Sequence, residues 1–230
     1  MLRLFVAASF GALLASVPAV AAVVVTNAPG APDQGMAVGE RLVVSFDAAN
    51  AQGVSNVTSG NVTTAAGSIG SVRAAPAGTP DDNIYQSIGT GGSSTFDFSQ
   101  FTDGSGLSSA SFYWGSVDAY NFVDVLNAGG TVIHTLSGTD LPQFNGDQSA
   151  AITNQRVFFR FDQQDLVTAL RLRSTGVAFE FDNIAVGRAF GSDDGTAGAV
   201  PEPTTWAMLF VGFGMIGAMM RRPRTKAVSA

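Results

Sequence analysis

Between Phe112 and Asn121 the chain reads Phe-Tyr-Trp-Gly-Ser-Val-Asp-Ala-Tyr-Asn. Flat aromatic faces stack on sugar rings and Asp and Asn edges hydrogen-bond hydroxyls, so Tyr113, Trp114, Asp118, Tyr120 and Asn121 could form a polysaccharide-binding site. Core packing competes, because strand alternation points Phe112 and Trp114 the same way, as in the buried aromatic rows of sandwich proteins. Catalytic chemistry finds less to work with. The single histidine, His134, sits mid-strand with Val132 and Leu136 on its face, which suits a structural role better than that of a base. Cysteine is absent, removing thiol nucleophiles, thiolate ligands and disulfides together. No Gly-x-Ser-x-Gly elbow, phosphate loop or dinucleotide fingerprint occurs. Two carboxylates about 5–10 Å apart would serve a glycosidase. The seventeen acids between Val23 and Val200 single out no such pair, and an enzyme is not expected.

The elements that must position these residues read as strands. Arg41–Phe46, Ser94–Phe98, Ala110–Trp114, Asn121–Leu126 and Thr131–Leu136 are short, β-branched or aromatic, and bounded by Gly, Asp, Asn and Ser. Alternation is clearest where Val157, Phe159 and Phe161 oppose Arg156 and Arg160, and where Leu170 and Leu172 oppose Arg171 and Arg173. One face of each belongs to a core and the other to water. Asn127-Ala128-Gly129-Gly130 reads as a hairpin loop and Val177–Val186 as the last strand. Residues 50–79 are rich in Gly, Ala, Ser and Thr and read either as a loop or as a weak hairpin, with Asn56-Val57-Thr58 nearly repeated at Asn61-Val62-Thr63. No soluble helix longer than a turn or two is expected. Short strands separated by turns predict an all-β, antiparallel β-sandwich of jelly-roll type, a paired layer that also protects strand edges.

Charge narrows the partners. From Val23 to Val200 there are seven arginines, no lysine and seventeen acids, a balance of minus ten. The balance argues against nucleic acid or another anionic polymer as the main partner, since those need a basic footprint, and it favours cations including calcium. About 178 residues suit one domain with its own core.

Both ends carry targeting features. Arg3, the apolar run Leu4–Ala15 and the small-x-small sites Ala19-Val20-Ala21 and Val20-Ala21-Ala22 predict a signal peptide over 1–22, with cleavage involving Ala19, Ala21 and Ala22 by signal peptidase. At the other end Thr204–Met220 is seventeen residues without a formal charge. At about 1.5 Å per residue that is barely enough to cross about 30 Å of hydrocarbon as a transmembrane helix. Arg221, Arg222, Arg224 and Lys226 hold that end in the cytoplasm, and Trp206 sits where an interfacial anchor belongs. Pro201 and Pro203 keep the preceding segment extended, as entry into a protease cleft requires. The organisation expected is a signal peptide at 1–22, a β-sandwich at 23–190, a Gly-, Ser- and Asp-rich linker at 191–199 and a C-terminal signal at 200–226.

Pro201-Glu202-Pro203, with Trp206-Ala207 after two intervening residues, an apolar segment and then Arg221-Arg222, resembles the PEPxxWA variant of the PEP-CTERM sorting domain. The resemblance implies a Gram-negative host, an inner-membrane precursor, and removal of the tail by an exosortase, a membrane-bound cysteine protease, during export to the cell surface or matrix. This type of tail is also catalogued after ice-binding proteins, but the body lacks the regular Thr-rich repeats of a flat ice-matching face. Ala178–Val186 resembles the closing strand of jelly-roll carbohydrate-binding modules and other galactose-binding-like domains. That likeness implies a structural calcium near Asp182, which would need six to eight oxygen ligands and hence help from carbonyls and from a carboxylate such as Asp47 or Asp33. A plain strand end at Asp182-Asn183 is the simpler alternative. Residues 112–121 resemble a segment that recurs in one group of exosortase-dependent surface proteins. The function these features favour is that of an exported, exosortase-processed, non-catalytic sandwich, structural or adhesive in the exopolysaccharide layer. A carbohydrate-binding module is the alternative, and a secreted glycosidase the third reading.

Overall fold

Alternation of apolar and polar residues over runs of four to ten residues builds twelve strands in the computed structural model, which describes residues 23–148 and 150–188. They are β1 (Val24–Pro29), β2 (Arg41–Val44), β3 (Ser55–Ser59), β4 (Val62–Ala66), β5 (Ile84–Ile88), β6 (Ser93–Asp97), β7 (Leu107–Gly115), β8 (Asn121–Asn127), β9 (Val132–Ser137), β10 (Gln155–Arg160), β11 (Val167–Ser174) and β12 (Phe179–Arg188). Among the described residues helix is confined to three single 3-10 turns, and no helix is long and apolar enough to cross a membrane. The signal peptide, the linker at 191–199 and the transmembrane helix expected at 204–220 lie outside the described residues.

The strands form two antiparallel sheets stacked as a sandwich. The first runs β1-β10-β7-β12-β5-β4, with β2 also pairing β12, and the second runs β3-β6-β11-β8-β9. Between them lies an aromatic core. Phe112 and Trp114 of β7, Val157 and Phe159 of β10, and Phe179 and Phe181 of β12 face Phe96, Val123, Val125, Leu170 and Leu172 of the second sheet. Trp114 stacks on Phe179 with ring centroids 4.4 Å apart, and Phe181 meets Phe96 edge-on at 5.9 Å. Such aromatic pairs add about 0.5–1.5 kcal/mol each beyond the area they bury.

The near-repeat at 56–63 is not a hairpin. β3 pairs β6 in the second sheet while β4 pairs β5 in the first, so Gly60-Asn61 carries the chain from one layer to the other. Gly60 has φ +70°, and a Cβ there would meet the carbonyl oxygen of Gly91 at 2.8 Å. The hairpin loop at 127–130 is present, with the Asn127 carboxamide accepting from the amides of Gly129 and Thr131.

The two outer faces differ. On the first sheet the central outward residues are covered by segments 30–40 and 67–83, while Val24 and Arg160 toward its edge stay exposed. Tyr113 donates its hydroxyl to the Ala77 carbonyl, Asp33 pairs with Arg156, Ser111 donates to Glu40, and the Ala74 amide donates to Glu180. The second sheet presents its outward rows to solvent. Val57 is 68% exposed there, and the Arg171 and Arg173 side chains are about one-third exposed.

Candidate functional site

The aromatic stretch chosen from the sequence does not form an open platform. Tyr113, Trp114 and Asn121 are each 0% exposed. Trp114 points into the core by the alternation that also buries Phe112, and Tyr113, pointing outward, lies beneath segment 67–83. Burial holds the Tyr113 phenol well above its usual range, with Asp33 adding to the shift. Asn121 accepts from the Ser174 hydroxyl and donates to the Ala178 carbonyl, clamping the turn between β11 and β12. Tyr120, half-buried, donates to the Val177 carbonyl on the same turn. Asp118 is half-buried beside it; burial pushes its carboxyl up and the Tyr120 hydroxyl pulls it back. No face of Tyr113 or Trp114 is free to stack on a sugar.

Asp182, Asp47 and Asp33 do approach one another, and each already has a partner. Asp33 accepts from Arg156 Nη1 at 3.0 Å and from Asn183 Nδ2 at 3.3 Å. Asp182 accepts from Asn83 Nδ2 at 3.0 Å and from the Asn183 amide at 2.7 Å, and Asp47 accepts from the Ile84 amide. Burial, with Asp47 and Asp33 nearby, pushes Asp182 up to about 6. The positive charge in this cluster is the guanidinium of Arg156, buried among Asp33, Glu40 and Asp182. Among the described residues no group of three or more His, Asp or Glu side chains is arranged to hold a metal ion. The donor set therefore fits an internal arginine better than calcium.

The solvent-facing site is the outer face of the second sheet. Its registers align two rows across five strands, Val57-Thr95-Arg171-Asp124-Thr135 and Ser59-Ser93-Arg173-Phe122-Ser137. At a strand spacing of about 4.8 Å each row spans about 19 Å. Asp124 organises the centre. Its carboxylate accepts from Thr135 Oγ1 at 2.7 Å, from Arg171 Nη2 and Nε at 2.7 and 3.0 Å, and from Arg173 Nε at 2.9 Å. Burial pushes the Asp124 carboxyl up, but the bonds from Arg173, Thr135 and Arg171 outweigh it and hold it below the usual carboxylate range. Arg173 also lies over the Phe122 ring, its Cζ 4.4 Å from the centroid. The result is a pre-ordered surface of guanidinium donors and Ser and Thr hydroxyls, with both arginine side chains about one-third exposed. Such a surface can hydrogen-bond a hydroxyl-rich chain laid across the strands.

Sequence reasoning placed Arg171 and Arg173 on the water face but missed Asp124 and Phe122 as their partners. The signal was there, since Phe122 and Asp124 alternate with the core residues Val123 and Val125. Which strand lies beside which is not visible in any one run. His134 is half-buried with Nε2 enclosed.

Destination is written in the tail. Residues 199–224 match the PEP-CTERM protein-sorting motif. The chain carries a PEP-CTERM sorting signal. Pro201, Glu202, Pro203, Trp206, Ala207, Arg221 and Arg222 fall inside that match, outside the described residues. The PEP-CTERM signal implies an exported, envelope-targeted protein that an exosortase processes. The cleavage residues Ala19, Ala21 and Ala22 also lie outside the described residues. No curated protein matches the chain. Among solved structures, a family 6 carbohydrate-binding module is similar at 18% identity and TM-score 0.35, over 58% of this chain and 87% of its own. A module from Clostridium stercorarium, solved with cellobiose, is similar at 17% identity and TM-score 0.35, over 59% and 94%. A family 11 module of a Clostridium thermocellum cellulosomal cellulase is similar at 12% identity and TM-score 0.26, over 69% and 99%. Likenesses this loose assign neither ligand nor site.

Proposed function

We propose that this PEP-CTERM protein crosses the inner membrane of a Gram-negative host, is trimmed by its exosortase and resides in the exopolysaccharide layer. There its non-catalytic sandwich holds glycan across the open face of the second sheet. The observation that supports glycan holding is the contrast between the two outer faces. The centre of one is covered by segments 30–40 and 67–83, while the other carries at its centre Arg171, Arg173 and Thr135 fixed around Asp124 and left accessible. Structural or adhesive service in the matrix and service as a carbohydrate-binding module both use this face, and the second is the more specific reading. A glycosidase has less in its favour, because Glu180 and Asp182, whose carboxyls are raised as an acid catalyst's would be, are 2% and 0% exposed. The test is intact mass and partition of the protein recovered from a native-type host, with and without its exosortase. A mass ending near residues 201–203 only when the exosortase is present, in the polysaccharide fraction, is expected. A species retaining Arg221–Lys226 in both strains, or one indifferent to removal of the polysaccharide, would overturn the reading.

A further inference from the structure

A cavity of about 380 Å³ lies at strand ends, where the start of β2, the end of β12 and the loops at 52–53 and 100–103 meet. That volume lies within the range of about 300–1,000 Å³ typical of small-molecule sites. Arg41, Gln52, Gln100, Phe101, Asp103 and Arg188 line it. Both guanidiniums converge on one ring, with Cζ of Arg188 4.5 Å and Cζ of Arg41 5.9 Å from the Phe101 centroid. Phe101 is itself buried, so the ring fixes the two cations in place. The wall beneath them is close-packed backbone. Gly53 has φ +83°, and a Cβ there would meet the Phe101 amide nitrogen at 2.8 Å, so the 50–53 loop lies directly against 100–101.

Two guanidiniums on one ring form a distinct charge arrangement. Arg156, Arg171 and Arg173 are each paired with a carboxylate, whereas among the described residues Arg41, Arg73, Arg160 and Arg188 make no ion pair, and of these Arg41 and Arg188 are the two that share one aromatic ring. Arg188 Nε is buried with no hydrogen-bond partner there. Two like charges held on one ring repel each other, and an anion between them relieves that repulsion. Asp103 is the carboxylate lining the cavity, and Gln52 and Gln100 supply neutral donors and acceptors beside it.

We infer that this end pocket binds a carboxylated sugar, the uronate unit of an acidic polysaccharide. Arg41 and Arg188 take the carboxylate through fork-like N–H pairs, which match its planar geometry, while the Gln52 and Gln100 amides and the Asp103 carboxylate take ring hydroxyls. Asp103 opposes any anion here, and only the sugar acid offsets this by giving ring hydroxyls to Asp103, Gln52 and Gln100, whereas inorganic phosphate would use the arginines alone. The inference does not depend on the open face of the second sheet, and the two can fail separately.

Titration calorimetry of the full-length chain in detergent micelles with tri-galacturonate, cellotriose and inorganic phosphate tests it. Tri-galacturonate is expected to bind, to weaken with added salt, and to weaken at least tenfold in Arg188→Gln and in Arg41→Gln, with thermal melting preserved because both side chains reach solvent. Cellotriose binding, if present, is expected to survive both substitutions and to fall in Phe122→Ala. The inference is overturned by tri-galacturonate failing to bind the wild type, by unchanged affinity in both arginine variants, or by phosphate binding as tightly as the sugar acid.

Discussion

At the scale of single residues, the buried carboxyls set the pH range in which the fold is most stable. Glu180 accepts from the Ala74 amide and the Ser87 hydroxyl, yet burial dominates and its carboxyl is pushed up to about 7. Its folded value exceeds the unfolded one of about 4.3, so between these values the native state holds more protons and stability falls as pH rises. Asp182, pushed up to about 6, acts in the same direction. Thermal melting is therefore expected to be highest near pH 5 and to fall by pH 8, with the fall reduced in Glu180→Gln; identical slopes in both proteins would contradict this. Asp124 carries the opposite sign. Its folded value is depressed, so its contribution is complete above the unfolded value of about 4 and is lost as pH falls through the folded one. Asp124→Asn is expected to cost about 1–3 kcal/mol in a urea melt at pH 6, and the deficit should shrink on acidification below pH 4. The chemistry of Tyr113 and Trp114 was legible from residue type, but their burial was not. A row of aromatics that suits a sugar platform suits a sandwich core equally, and only the second sheet decides between them.

At the scale of elements, most strands announce themselves by alternation, and the exceptions have physical reasons. β1 and β5 lack a distinctive run, because Val24–Pro29 mixes Thr, Asn and Pro with its valines and Ile84–Ile88 carries Gln and Ser inside a buried strand. β3 and β4 resemble a hairpin in sequence but separate into different sheets, since Gly60-Asn61 crosses between layers rather than turning within one. The turn before β11 holds a strained residue. Leu166 closes a 3-10 turn at φ 44°, ψ 49°, a left-handed conformation costly for a branched side chain, and it is 45% exposed. Replacing it with Asn, which tolerates that conformation, is expected to raise stability by about 0.5–1 kcal/mol in the same urea melt. A loss would mean that Leu166 packs more than its exposure indicates.

At the scale of the whole molecule, destination was the most legible property, because sorting signals are read as linear sequence and need no fold to be recognised. The all-β, antiparallel sandwich was nearly as plain. What the sequence could not disclose was which sheet face stays open, since that depends on where segments 30–40 and 67–83 come to rest. Asp33 and Arg156, which pin the first of them, stand more than a hundred residues apart. The same holds for the cation among the acids, since Arg156 is far in the chain from Asp33 and Glu40, between which it is buried. The most direct measurement is affinity electrophoresis of the exported protein through a gel containing the host's own exopolysaccharide, comparing wild type with a Phe122→Ala, Arg173→Gln double variant. Retarded wild type, an unretarded variant and matching melting curves are the outcome expected if the second sheet is the glycan-facing surface. Equal retardation of the two proteins, or no retardation of the wild type, would contradict it.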